Sequence, residues 1–344
     1  MKKKKQILLV ILLLISFLDA QSLGTGSAAF LNKGMSARAI GMGSAYTAVV
    51  DDPTAVYWNP AGLLNSNIFQ IQVSDIQDLN STSFGDVNSP QLALSYYFRK
   101  PLPLLKNVYW ALGGGVNSFF VKDIDQYDSA SNYEGSFNYG EYVVFFSTAF
   151  RIRFLKVGMT WKYINQNFSL SEQFSQNNGK SFKESIKKIR PHDFGVMFHP
   201  TKYISVGLII RDSSRVGTYD MYPRNTQMGI KFDLKGFKIS LPHLILATDI
   251  IVIQNSLNKM NVGLEYIHQF NADLSVAVRM GISNLIVGMK GEIDNIEEIS
   301  KFNKNFAMGL GLSYNMLDID VAWVGLMGTN PYSEYFVLTF SLNM

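Results

Sequence analysis

Along most of this chain, apolar residues alternate with polar or small ones, and that period of two restricts the fold more than any other feature. Leu155, Val157, Met159, Trp161 and Tyr163 alternate with Lys156, Gly158, Thr160 and Lys162. Phe306, Met308, Leu310, Leu312 and Tyr314 alternate with Ala307, Gly309, Gly311 and Ser313. Successive side chains of a strand point to opposite faces, so each such segment has one apolar face and one polar or small face. About fourteen segments read this way: 68–73, 91–98, 107–121, 137–152, 154–168, 190–199, 203–211, 225–235, 242–253, 259–269, 273–288, 304–314, 316–324 and 334–343.

The connections alternate as well. Short ones, such as 199–203, 269–273 and the turns near 153 and 315, take turns with mostly longer polar ones such as 74–90, 121–137, 168–190 and 288–304. An antiparallel barrel with short periplasmic turns and long external loops has this asymmetry. A soluble sandwich would also alternate, but here the faces opposite the apolar ones carry Gly, Ala, Ser and isolated charges, which suits a lumen. Aromatic residues gather near segment ends (Tyr96-Tyr97-Phe98, Tyr109-Trp110, Trp323, Tyr335-Phe336), as in an interfacial girdle. The expected fold is all-β: a transmembrane antiparallel barrel of about 14 strands over residues 67–344.

Residues 1–20 read as a secretory signal peptide, with basic Lys2 to Lys5, an apolar core from Ile7 to Leu18, and Ala20 before the cut. Removing that segment leaves 27 basic against 26 acidic residues, so the formal charge of +4 says nothing about nucleic acid. With no cysteine, disulfides, thiolate metal sites and Cys-linked lipid are excluded. The expected location is therefore the outer membrane of a diderm bacterium, in contact with its lipid.

Residues 21–66 do not alternate. They carry helix-start signals instead: Ser36 ahead of Arg38 and Ile40, Asp52-Pro53, and Asn59-Pro60. The residues between are small, among them Gly41, Gly43, Ala45, Ala48, Ala55, Ala61 and Gly62, and let backbone pack against backbone. Short helices folded into a tight space are expected, forming a plug. Asp51 and Asp52 could hold a cation, but capping a helix and pairing with Arg38 is the simpler role.

On the strands, Lys156, Lys162, Lys231, Asp233, Asp249, Glu265, Arg279 and Asp320 fall on the face opposite the apolar one. A Lys or Arg on the lipid face costs about 2–4 kcal/mol at the midplane, so these charges should point into the lumen, where they would anchor the plug. Gly41-Met42-Gly43 lacks the third glycine of a nucleotide loop, and Asp123, Asp125 and Asp128 break the calcium-loop spacing. His192, His199, His243 and His268 are scattered. No enzyme, cofactor or metal site is expected.

The stretch "FLNKGMSARAIGMGSAYTAVVDDPTAVYWNPAGL", residues 30–63, closely resembles the N-terminal signature of the PorV/PorQ family of outer-membrane proteins, relatives of the FadL-type transporters. Its residues are Arg38, Gly41, Gly43, Asp51, Asp52, Pro53, Tyr57, Trp58, Asn59, Pro60, Ala61 and Gly62, and Asn59-Pro60-Ala61 is shared with the FadL group. The resemblance implies a fourteen-stranded barrel with an internal plug. It implies first a role in type IX secretion, with secreted proteins bearing C-terminal sorting domains and other type IX components as partners. The wider superfamily implies a second role, FadL-like passage of a small hydrophobic molecule. A structural or adhesive surface barrel is the third class.

Overall fold

The computed structural model describes residues 29–79, 86–102, 105, 107–127, 131–170, 183–189, 192–211, 215–216, 220–221, 225–237, 243–253, 258–288, 304–327 and 334–344. The expected signal peptide and Asp128 lie outside them.

Fourteen strands form one closed antiparallel barrel. They are β1 (Phe69–Asp78), β2 (Asp86–Phe98), β3 (Val108–Tyr127), β4 (Tyr133–Ile152) and β5 (Leu155–Leu170), followed by β6 in two pieces (Lys183–Ile189 and His192–Thr201). After β7 (Ile204–Arg211) come β8 (Asn225–Asp233), β9 (Leu244–Ile253), β10 (Asn258–Gln269) and β11 (Leu274–Gly288). The last three are β12 (Lys304–Tyr314), β13 (Leu317–Met327) and β14 (Tyr335–Asn343). Each pairs with its sequence neighbours, and β1 pairs with β14 from Gln70↔Asn343 to Asp78↔Tyr335, closing the barrel. Both pieces of β6 pair with β5, so they act as one strand.

The outer face is apolar. Leu92, Leu94, Phe146, Phe194, Met228, Ile250, Met280, Leu310 and Phe340 are all exposed. At the ends of β2 and β3, Phe98 stacks on Trp110 with centroids 3.5 Å apart, and Tyr96 packs edge-on to Phe98. This is the lipid-facing band and aromatic girdle of an outer-membrane barrel.

Several strands run further than the alternation suggested. β1 continues to Asp78 rather than ending at 73, β2 starts at Asp86 rather than 91, and β3 and β4 are 20 residues each. A strand needs about 9–11 residues to cross a bilayer. Beyond the lipid both faces meet water or protein, so the apolar pattern fades while the backbone ladder continues. Parts of the expected long loops 74–90, 121–137 and 168–190 are therefore strand.

Inside the barrel lie two short helices, α1 (Ala37–Gly41) and α2 (Ala55–Trp58), with 3-10 turns Ala29–Lys33 and Pro60–Leu64 on either side. Nearly every residue from Phe30 to Leu64 is buried. Lys33 reaches the long-loop end of β1 at Asp78, but the wall contacts of α1, α2 and the turn Pro60–Leu64 fall in the middle or short-turn halves of the strands. There the inward faces carry paired glycines: Gly158↔Gly195, Gly207↔Gly229 and Gly263↔Gly281. The absence of side chains lets the plug backbone lie directly on the wall. A Cβ at Gly158 would stand 2.6 Å from the Ala61 nitrogen, and one at Gly281 would fall within 2.5 Å of the Gly43 Cα. Only glycine fits at these two positions.

Candidate functional site: the plug and the bore

The plug is tied to the wall by its own backbone groups. Ser36 caps α1, its Oγ accepting from the Ala39 N–H at 3.3 Å. The Ala37 N–H, an orphan donor of the first helical turn, donates to Thr339 Oγ1 on β14 at 2.8 Å. Gln91 on β2 accepts from the Ser36 N–H and donates to the Gly34 carbonyl at 3.0 Å. Asn59 caps the turn Pro60–Leu64 through Ala61 N, and its Nδ2 donates to the Thr47 carbonyl and to Val196 O on β6. Trp58 donates to Met35 O at 3.0 Å and Tyr57 to Leu31 O at 2.5 Å, and the two rings pack edge-on at 4.9 Å. Tyr57, Trp58 and Asn59 thus hold the plug to itself, and Asn59 also to the wall.

Asp52 does not start α2 directly. Its Oδ1 accepts from Thr54 N at 2.8 Å and so caps a turn over Asp52-Pro53 just ahead of the helix. Its Oδ2 accepts from the Tyr46 hydroxyl at 2.6 Å. Burial pushes the Asp52 carboxyl above its usual range, opposed by the Arg38 charge. Burial likewise raises the Tyr46 hydroxyl. For Arg38 burial acts to lower the pKa, but Asp51 and Glu265 outweigh it and the guanidinium is held well above its usual value.

Arg38 heads a chain of buried charges. Its Nη1 meets Asp51 at 2.6 Å, and its Nε and Nη2 donate to the two oxygens of Glu265 on β10 at 2.9 and 3.0 Å. Arg279 on β11 meets Glu265 at 2.6 Å and Asp320 on β13 at 2.7 Å. One network therefore links the plug to three wall strands. Asp249 on β9 accepts from the Tyr46 and Thr47 N–H groups and from Gln227, each at 2.9 Å. Lys162 pairs with Asp193 across β5 and β6 at 2.6 Å, and Lys156 donates to Asn65 at the plug's end.

Of the charges expected in the lumen, Lys156, Lys162, Asp249, Glu265, Arg279 and Asp320 are buried there. Lys231 and Asp233 stand apart at the short-turn rim, half-buried, where Asp233 accepts from Lys235 N at 3.0 Å. Arg211 was not among the expected residues. It donates to Tyr57 O at 3.1 Å and Gln227 at 2.8 Å, with its guanidinium 5.0 Å from the centre of the Tyr57 ring. Its parity with Gly207 and Ile209 on β7 was the available signal.

On the side of the plug towards the long loops, the inward faces that pack on it change character. Ile76, Val121, Val143, Ile164, Val324 and Val337 are buried inside the barrel. Aromatic rings join them: Phe30 of the plug stacks on Phe119 at 5.8 Å, and Phe119 meets Tyr139 edge-on at 6.3 Å. Lys33, paired with Asp78 at 2.7 Å, lies 5.5 Å from the Tyr335 ring centre. In the wall beside this region the β2–β3 pairing lapses between Asn88↔Phe120 and Gln91↔Asn117. Pro90 has no N–H to offer, and two hydroxyls take over: Ser89 donates to Ser118 O at 2.8 Å and Ser118 to Pro90 O at 2.9 Å.

No protein-family model matches the chain, and no curated protein matches its sequence. Solved structures do match in fold. The monoaromatic hydrocarbon channel CymD superposes with a TM-score of 0.57 at 11% identity, over 90% of this chain and 96% of that one. A mutant of the monoaromatic hydrocarbon channel TodX gives 0.57 at 11% identity, over 90% and 99%. A FadL homologue from Pseudomonas aeruginosa gives 0.53 at 9% identity, over 94% and 99%. The chain shares the fold of these outer-membrane barrels.

Proposed function

We propose that the protein passes small hydrophobic compounds across the outer membrane. The observation that carries this reading is the bore itself. A water-filled channel has a polar interior, whereas here apolar and aromatic side chains of the wall pack on the long-loop side of the plug. A hydrophobic compound entering from outside would meet Phe119, Tyr139 and Phe30 and stop at a plug held by buried ion pairs. The interrupted β2–β3 ladder at Pro90 offers an exit through the wall, short of displacing the plug. The FadL-type fold supports the same reading, since two of the similar structures are hydrocarbon channels.

A second reading is cargo binding in type IX secretion. It rests on the motif at 30–63, whose residues build the plug, and it would place the protein-binding surface on the external loops. Deleting the gene separates the two. Slower accumulation of a hydrophobic compound with unchanged culture-supernatant proteins supports passage. Normal accumulation with secreted proteins trapped in the periplasm overturns it in favour of cargo binding.

A further inference from the structure

The short-turn rim of the barrel is electrically lopsided. From β4 to β8 the inward faces present Arg151 and Lys231, with Lys156 buried between them against Asn65, and the turn tips beside them present Arg153, Lys202 and Lys235. Among the described residues of this arc the sole carboxylate is Asp233, and none of the six cations has an ion-pair partner. On the opposite arc Asp273 lies in the turn after β10 and Asp318 at the start of β13, and the turns after β10 and β12 carry no lysine or arginine.

Arg151 and Lys156 are also direct cross-strand partners. Like charges directly opposite one another destabilise a sheet pair. The nearest plug carboxylate, Asp51, makes its ion pair with Arg38 at 2.6 Å and acts on Lys156 only at longer range. Arg151 instead lies 4.4 Å from the centre of the Tyr109 ring and donates weakly to the Tyr97 hydroxyl at 3.3 Å. A run of uncompensated cations of this kind attracts an anionic partner.

We infer that this arc docks an acidic polypeptide segment on the periplasmic side. Bilayer headgroups do not fit, because Arg151, Lys156 and Lys231 face the bore and the barrel wall separates them from lipid. A single small anion does not fit either. Neighbouring strands lie about 4.8 Å apart, so five strands extend over roughly 19 Å. An extended peptide of about six residues covers that distance. This inference is independent of what passes through the bore.

The test uses the full barrel in phosphatidylcholine nanodiscs with fluorescein-labelled decaglutamate, read by anisotropy. Saturable binding that weakens with added salt is expected. K202Q/K235Q alters exposed turn residues only and should weaken binding about tenfold, the product of roughly threefold per exposed ion pair. R151Q/K231Q should do the same, while K122Q at the far end of β3 should leave binding unchanged. The inference is overturned if no peptide binds, or if both double variants bind like the wild type. Equal competition by free glutamate would also overturn it, in favour of a small-anion site. So would peptide-indifferent retention of phosphatidylglycerol that the same variants abolish.

Discussion

Glu265 is the point where the plug's charge network can be broken most cleanly. It is fully buried and accepts three N–H groups, two from Arg38 and one from Arg279. E265Q keeps the volume, removes the charge, and turns an NH2 donor towards guanidinium donors. Breaking a buried pair by removing one partner costs about 3–5 kcal/mol. Arg38 keeps Asp51 and Arg279 keeps Asp320, so neither guanidinium is orphaned and the loss belongs at the lower end, about 3 kcal/mol. If that energy holds the plug against the wall, the undocked population should rise roughly 150-fold. Hydrogen exchange of the amides from Ala37 to Trp58, followed by mass spectrometry in nanodiscs, reads this opening directly. A matching acceleration in the plug, with the strand amides of β4 and β5 unchanged, is the expected result. Replacing the pair by apolar residues, R38M/E265L, should recover part of the loss, because a well-packed apolar substitute for a buried ion pair is often neutral. Wild-type exchange in E265Q would refute the view that this network latches the plug.

Other outcomes follow from the same geometry. G281A places a methyl against the Gly43 backbone and should cost about 1–3 kcal/mol by overpacking, measured by urea unfolding in liposomes; a stability equal to wild type would mean the plug does not lie on the wall there. Asp52 has a raised pKa, so its ionised form opposes docking: its stabilising contribution is full below the ordinary carboxylate range and is lost as pH rises through the raised value. D52N mimics the protonated form, so melting curves should show it gaining on the wild type at neutral pH, with the gap closing on acidification; a gap that widens in acid would reverse the sign. P90V supplies the N–H missing from the β2–β3 seam and should slow hydrophobic uptake while raising the melting temperature. Unchanged uptake would remove that seam from the route.

The barrel was legible because lipid outside and plug inside impose opposite demands on alternating residues, as in the stretch from Leu155 to Tyr163. The strand ends were less so, because Ser74, Asp75 and Gln77 continue a ladder that no bilayer patterns. The plug's compactness showed in its small residues, and the glycines opposite it were visible as part of the non-lipid face. The pairing of those glycines was not, since Gly263 meets Gly281 only through the strand register. Charges could be assigned to the lumen by their cost in lipid, which placed Glu265 and Arg279 on the inner face. Their partners could not, because Arg38 reaches Glu265 across 227 residues of sequence. Rim and bore were also indistinguishable by parity alone: Lys231 shares a face with Gly229 yet stands at the mouth. The interruption at Pro90 needed the register of β3 to become visible.

Passage of hydrophobic compounds through the bore is the property to measure. The most direct measurement is the initial rate of radiolabelled toluene accumulation, at limiting concentration, by intact cells lacking the gene and by the same cells complemented with it. A rate that falls on deletion and returns with the wild-type chain is expected. Equal rates in the two strains would contradict it.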